Sequence, residues 1–247
     1  MSGASGATRS TVLVVTGTGT EIGKTVTTAA VAAVAVAAGR SVAVLKPAQT
    51  GLAPGEPGDV DEVVRLAGPA VTPVELARFP EPLAPGTAAA RAGLAPVRPG
   101  QVAEAALKLA ASHDLVLVEG AGGLLVHFDE EGATLADAAR LLGAPVLVVA
   151  QAGLGTLNST QLTAEALRAR GLAQAGVVIG SWPREPGLAE RCNVGDLPGV
   201  AGAALVGAVP AGAGALAGAA FRERAARWLG PELGGSWDGA GFARRFG

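Results

Sequence analysis

Four residues have the types and spacing to do chemistry together: Lys24, Thr25, Lys46 and Glu119. The first two close the run Val12-Leu13-Val14-Val15-Thr16-Gly17-Thr18-Gly19-Thr20-Glu21-Ile22-Gly23-Lys24-Thr25. Its apolar, β-branched opening reads as a buried parallel strand. A glycine-rich turn follows, and an alanine-rich helical pattern begins at Gly23-Lys24-Thr25. Strand, glycine loop and helix in that order make a phosphate-binding loop. Glycines let backbone N–H groups turn inward, and the helix N-terminus adds partial positive charge. In such a loop the lysine reaches the β- and γ-phosphates, and the threonine hydroxyl sits on Mg²⁺. The usual spacing would need glycine at position 18, where Thr18 stands, so this is a variant of the loop.

The other two residues sit where strands should end. Ser41–Leu45 reads as a strand that Pro47 halts, leaving Lys46 at its carboxyl end, the edge where open α/β sheets bind ligands. Asp114–Val118 is a second buried strand, ending on Glu119 and the turn Gly120-Ala121-Gly122-Gly123. A carboxylate at that depth is costly alone, which calls for a metal or a cation beside it. Asp59 opens a helical pattern and is a plausible N-cap, while Asp61 and Glu62 read as a solvated face. A charge-free strand at 145–149 runs into the glycine loop Gly153–Ser159, which opens a helix to about Arg170. Two readings stand there: free N–H groups that bind an anion, or an ordinary turn capped by Asn158 or Ser159.

The elements that must carry these residues follow from composition. Apolar residues make up 49% and charged residues only 16%, with 37 glycines, which fits a buried parallel sheet wrapped by small-residue helices and excludes disorder. A net charge of −2 offers no basic field for nucleic acid or anionic lipid. The single cysteine, Cys192, rules out a disulfide framework and reads as inert; His113 and His127 read as surface residues. Met1–Ser10 lacks the apolar core of a signal peptide, and the apolar helical run at 29–38 is too short to span a bilayer, so the expectation is a cytoplasmic protein. Helices are expected at 24–38, 59–66, 100–112, 135–142 and 221–229, the last placing Trp228 in the core. Further strands are expected at 176–179 and 205–208. The proline-rich stretch 69–100 reads as a long excursion with one short helix near 87–92, at the rim of the site or at a subunit contact. Trp182 either stacks on a base or fills core. With no repeat or domain-sized linker, one domain should cover 1–247, its core at about 11–230 and a loosely held tail at 231–247.

Together these residues make the chain resemble the ATP-dependent dethiobiotin synthetases. Four segments carry the resemblance: TGTGTEIGKT at Thr16–Thr25, KPAQTG at Lys46–Gly51, VEGAGG at Val118–Gly123 and GLGTLN at Gly153–Asn158. Each is weak alone, but their order and spacing span roughly Val12 to Gly214, and the variant glycine spacing is the form this family uses. The resemblance implies a P-loop NTPase-like α/β fold, an open, mostly parallel seven-stranded sheet with helices on both faces. It also implies a homodimer that makes dethiobiotin from 7,8-diaminopelargonic acid, CO₂ and ATP by way of a carbamate and a carbamic–phosphoric anhydride.

By the same resemblance Lys24 and Lys46 are the catalytic residues. Glu21, Ile22, Gly23, Lys24, Thr25 and Val26 wrap the phosphates, and Gly120, Ala121 and Gly122 face the nucleotide. Thr25, Asp59 and Glu119 hold Mg²⁺, with Asp61 as the fallback for Asp59. Thr20, Lys46 and Thr50 meet the diamine or its carbamate, while Gly122, Leu157 and Asn158 reach it from the other subunit. This chain departs from the family pattern at Gly19, often Asp, at Ser159, often His, and at Gly180-Ser181, where members that select adenine carry Asn. Base contacts then fall to Gly180, Ser181, Pro210, Ala211 and Gly212, which should relax base choice and admit CTP. Two rivals share the loop. A cobyrinic acid amidating synthetase needs a cysteine-bearing glutaminase domain, for which too little chain follows Gly214. A partitioning-type ATPase switch carries an extra lysine early in its loop, and positions 17–20 hold none.

Overall fold

The computed structural model describes residues 11–246; the signal-peptide reading of Met1–Ser10 lies outside them. The strands are β1 (Thr11–Gly17), β2 (Val42–Thr50), β3 (Val71–Phe79), β4 (Leu115–Gly123), β5 (Val146–Ala150), β6 (Gln174–Trp182) and β7 (Leu205–Pro210). The helices are α1 (Lys24–Ala37), α2 (Asp59–Ala67), α3 (Pro85–Ala92), α4 (Pro99–Ala110), α5 (Leu135–Leu142), α6 (Thr156–Ala169), α7 (Leu188–Ala201), α8 (Gly218–Ala225) and α9 (Gly239–Phe246). The seven strands form one sheet in the order β3-β2-β4-β1-β5-β6-β7, and every pairing is parallel. The expectation of a mostly parallel sheet is therefore sharpened to a wholly parallel one.

Both sheet faces are covered, as parallel strands require. Successive residues along a strand point to opposite faces, so Leu13 and Leu117 join one buried cluster while Val14, Val116 and Val118 join the other. Alanines along α1, among them Ala29, Ala30, Ala32 and Ala33, let that helix approach the sheet closely. Each fully buried valine or leucine stabilises the fold by roughly 1.5–3 kcal/mol. Chain order reverses about β1: it lies between β4 and β5, so the crevice for a ligand falls at its carboxyl end.

Several elements differ from the sequence reading, each for a physical reason. Pro47 does not halt β2, which continues to Thr50. Pairing with β4 stops at Leu45, so Pro47 lies where one side of the strand carries no ladder and its missing N–H is tolerated. The excursion at 69–100 contains β3, an edge strand with Pro73 inside it and polar residues along it. Helix α7 persists with Pro198 near its end, and α8 begins at Gly218 rather than at Phe221. Trp228 is buried against Phe221, as anticipated.

The tail is packed rather than loose. Phe242 and Phe246 of α9 meet Trp182 edge-on at ring-centroid distances of 5.0 and 5.3 Å, and Trp237 lies 5.2 Å from Phe242. Trp182 is thus 7% exposed and fills core instead of offering a face to a base. Aromatic pairs contribute about 0.5–1.5 kcal/mol beyond area burial. Phe242→Ala should therefore cost about 1–2 kcal/mol of stability. In a thermal melt it should lower Tm by several degrees, and tryptophan emission should shift to the red as Trp182 meets water. An unchanged melt and spectrum would show that the tail contributes nothing.

Candidate active site

The site begins with the loop after β1. Gly23, with φ 93°, precedes α1, and a Cβ there would lie 2.2 Å from the Gly180 carbonyl oxygen. Gly180 meets the loop from the other side, where a Cβ would lie 2.0 Å from the Ile22 oxygen. Two facing glycines thus let the phosphate loop abut the end of β6. Gly180 supports the loop itself, beyond any role beside the base. Lys24 is buried and donates to the Gly19 carbonyl at 2.7 Å.

Register brings the charged groups together. Leu45 of β2 pairs with Val118 of β4, so the next residues, Lys46 and Glu119, share one face of the sheet. Glu119 also pairs with Val15 beside the loop. The Lys46 ammonium, 2% exposed, lies 2.9 Å from Glu119 Oε1, 2.5 Å from Asp59 Oδ2 and 3.1 Å from the Gly120 carbonyl. The Thr25 hydroxyl donates to the same Glu119 Oε1 at 2.8 Å. Asp59 is the first residue of α2, with Gly58 as N-cap, and its side chain turns to Lys46 instead of capping the helix. Asp61 takes the capping role, accepting the Gly58 N–H at 2.7 Å, and it is Asp59, not Asp61, that lines the cleft.

Glu119 Oε2 is buried and has no hydrogen-bond partner. An orphaned carboxylate oxygen is costly. The Thr25 hydroxyl bonds the other oxygen of this carboxylate and Asp59 shares the Lys46 ammonium with it, so three hard oxygen donors gather here. That donor set fits Mg²⁺, which takes one or two carboxylates and completes its shell with water and phosphate oxygens. Among the described residues no group of three or more His, Cys, Asp or Glu gathers around a metal position, so an all-protein cage is not the arrangement here.

Lys24, Thr25, Lys46 and Asp59 line a cleft of about 860 Å³, a volume suited to a nucleotide-sized ligand, with Glu119 buried behind them. Of the anticipated residues, Thr20, Glu21, Gly23, Lys24, Thr25, Val26, Lys46, Thr50, Asp59, Ala121 and Gly122 line it. Ile22, Glu119, Gly120, Leu157, Asn158, Gly180, Ser181, Pro210, Ala211 and Gly212 do not, although Glu119 and Gly120 reach the cleft through their bonds to Lys46. Pro82, Leu83, Ala84 and Pro85 do, so the proline-rich stretch reaches the rim as expected. Gln49 and Val126 also line it and were missed: nothing in the type of either residue marks it as a site residue.

Electrostatics set the two lysines apart. Burial and the neighbouring Lys46 charge lower the Lys24 ammonium below the ordinary lysine range, against the pull of Glu119 and Asp59. Burial alone would lower Lys46 too, but Glu119 and Asp59 overcome it and hold that ammonium above the ordinary range.

A family profile described as an AAA domain matches residues 11–214. The ATP-dependent dethiobiotin synthetase BioD of Streptomyces avermitilis is 72% identical over 95% of this chain and 98% of its own length. The same enzyme of Streptomyces coelicolor is 69% identical over 96% and 99%. The chain belongs to the dethiobiotin synthetase family. A ParA family ATPase from Chlorobium tepidum superposes with a TM-score of 0.57 at 12% identity over 92% of this chain and 96% of that one, a likeness of fold alone. Membership fits a phosphate loop whose Lys24 and Thr25 stand beside buried charge.

Acylation by an amine reagent across rising pH should modify Lys24 at lower pH than Lys46, with exposed Lys108 as the internal reference. Mass mapping that finds Lys46 modified first would contradict the charge assignment. Because the folded value of Lys46 lies above its unfolded value near 10.5, the stability it contributes is intact below that pH and is lost as pH climbs through the folded value. Lys46→Met would leave Glu119 buried and uncompensated, so denaturant unfolding at neutral pH should show a loss of about 3–5 kcal/mol.

Proposed function

We propose that this chain closes the ureido ring of dethiobiotin from 7,8-diaminopelargonic acid, CO₂ and a nucleoside triphosphate. The observation that carries the reading is the buried Lys46 ammonium, clasped by Glu119 and Asp59 in the same cleft as the phosphate loop. A partitioning-type switch has no use for such a lysine beside a substrate-sized space. Near-full-length identity to two dethiobiotin synthetases supports the same choice.

In this reading one amine of the diamine attacks CO₂, forming an N–C bond and losing a proton to give a carbamate. A carbamate oxygen then attacks the γ-phosphorus, and the bond to the β,γ-bridging oxygen breaks, leaving a carbamic–phosphoric anhydride and the nucleoside diphosphate. The second amine attacks the carbonyl carbon, and inorganic phosphate leaves as the ring closes. Such chemistry needs positioning and charge neutralisation more than a covalent partner. Lys24 grips the β- and γ-phosphates from the loop that Glu21, Ile22, Gly23 and Val26 complete. Lys46, kept protonated by its two carboxylates, faces the negative charge that builds on the carbamate and the transferring phosphoryl group. Mg²⁺, held by Thr25, Asp59 and Glu119, supplies further charge neutralisation when bound. Thr20 and Thr50 offer hydroxyls to the diamine end of the cleft.

The active unit is a homodimer. Leu157 and Asn158 at the start of α6 lie outside their own chain's cleft, beside Leu154, which is 88% exposed. A partner's α6 N-terminus is the element suited to receive the substrate carboxylate. Base choice should be loose, because Ser181, Pro210, Ala211 and Gly212 are exposed and present one hydroxyl and backbone groups rather than a side-chain amide.

Mass spectrometry of reactions holding the diamine, bicarbonate and nucleotide should find dethiobiotin with the wild-type chain. Lys46→Ala, if it still melts cooperatively and binds nucleotide, should lose about 10²–10³-fold or more in kcat. Nucleotide hydrolysis without dethiobiotin would sink the assignment. Values of kcat/KM for CTP and ATP should fall within roughly tenfold of each other, about 1.4 kcal/mol; an ATP lead of about a thousandfold would contradict loose base choice. Mixing inactive Lys46→Ala and Asn158→Asp chains should restore part of the activity, because some mixed dimers hold one intact site. No recovery would place both residues in one chain's site.

A further inference from the structure

Outside the groups assigned above, one cluster of polar contacts, made by buried Gln49 and half-buried Arg78 and Glu75, converges on the segment that delivers Asp59. Asp59 reaches Lys46 only because the loop at 53–58 turns α2 inward, and that loop is rich in proline and glycine, with little apolar surface to hold it. Two side chains from the sheet fix it. Gln49 of β2, 5% exposed, accepts the Asp59 N–H on Oε1 at 2.8 Å and donates to the Thr50 carbonyl at 3.2 Å. Arg78 of β3 donates to the Glu56 carbonyl at 2.5 Å and to the Ala53 carbonyl at 3.2 Å. Its guanidinium is held in turn by both oxygens of Glu75, at 2.7 and 2.8 Å.

The two anchors meet at Gly58. A Cβ there would lie 2.8 Å from Arg78 Nη2, 3.0 Å from Gln49 Oε1 and 3.1 Å from Glu75 Oε2. With φ at −99°, Gly58 needs no special backbone freedom. A Cβ there would have to displace the ends of the anchoring side chains. A planar fork clamped at both ends loses little further freedom when it binds the loop, which makes arginine the suited residue. Arg78 does not line the active-site cleft, so it can act on the chemistry only through the loop it holds.

We propose that Gln49 and Arg78 are positioning residues for the metal-side carboxylate. Gln49 fixes the backbone of Asp59 and Arg78 fixes the loop before it, so that the carboxylate stands opposite Glu119 before any cation arrives. The edge strand β3 exists, in this view, to carry the Glu75–Arg78 clamp to that loop. The proposal rests on the reading of Asp59 as a Mg²⁺ ligand. Partners that orient a metal ligand from behind typically cost 10–100-fold in affinity or activity when removed.

Electron paramagnetic resonance of Mn²⁺ in the presence of the β,γ-imido analogue of ATP gives the metal dissociation constant without turnover. Asp59→Asn tests the reading beneath, and Gln49→Met, Arg78→Met and Gly58→Ala test the inference, with thermal melts to confirm folding. All four variants should weaken Mn²⁺ by about tenfold or more. In steady-state assays of Arg78→Met and Gly58→Ala, at positions that do not line the cleft, raising Mg²⁺ should restore kcat to within about twofold of wild type, which a general packing defect would not allow. If Asp59→Asn weakens Mn²⁺ while folded Gln49→Met and Gly58→Ala leave it unchanged, the positioning role is wrong and the ligand reading stands. If Asp59→Asn itself changes nothing, the ligand reading fails and the inference goes with it.

Discussion

The structure turns on one buried cation. Taking the Lys46 ammonium out of water costs several kcal/mol unless opposite charge and hydrogen bonds replace the solvent. Glu119 and the neighbouring Gly120 carbonyl of β4 supply them together with Asp59 of α2, from two distant parts of the chain. The arrangement is asymmetric: Lys46 has three partners, whereas Glu119 has an oxygen left over and Lys24 is held by a single carbonyl. Groups satisfied only in part have capacity for a ligand.

The sheet is what makes that cluster affordable. Because β2, β4 and β1 are adjacent and parallel, their carboxyl ends open on the same edge, and the pairing of Leu45 with Val118 aligns Lys46 with Glu119 to within one residue. A register slip by one residue would send either side chain to the opposite face. The apolar clusters on both faces fix that register, so packing energy far from the site holds the charges at hydrogen-bond distance. The same logic extends to the edges. On one side β3 supports the loop before Asp59, and on the other the end of β6 supports the phosphate loop through Gly180.

Much of this was legible in sequence, and what was not has identifiable causes. The phosphate loop and the places of Lys46 and Glu119 just after apolar runs are coded locally, although β2 continues past Pro47 to Thr50 and β4 past Glu119 to Gly123. β3 was hidden because Pro73, Glu75 and Arg78 break the apolar alternation that marks a strand, a pattern an edge position tolerates. α7 and α9 carry internal glycines, and in α7 a proline, that propensity counts against, and tertiary packing overrides it. Trp182 had two readings until α9 closed over it. Residue type offers Asp59 only the local role of a cap, and the resemblance alone sends it to the site, because the partner that claims it, Lys46, comes from a distant strand. Gln49 and Arg78 lay beyond sequence reasoning altogether, since their partners are backbone groups of a loop whose path depends on the fold.

The account's central claim is that charge gathered at these strand ends moves a phosphoryl group onto a carbamate. Turnover of the wild-type chain in C¹⁸O₂-equilibrated bicarbonate, with unlabelled nucleotide, tests it most directly. Attack by a carbamate oxygen predicts one ¹⁸O in the inorganic phosphate for each dethiobiotin formed, read by mass spectrometry. Dethiobiotin accompanied by unlabelled phosphate would mean that the oxygen reaching phosphorus is not the carbamate's, and the role assigned to Lys46 would fall with it.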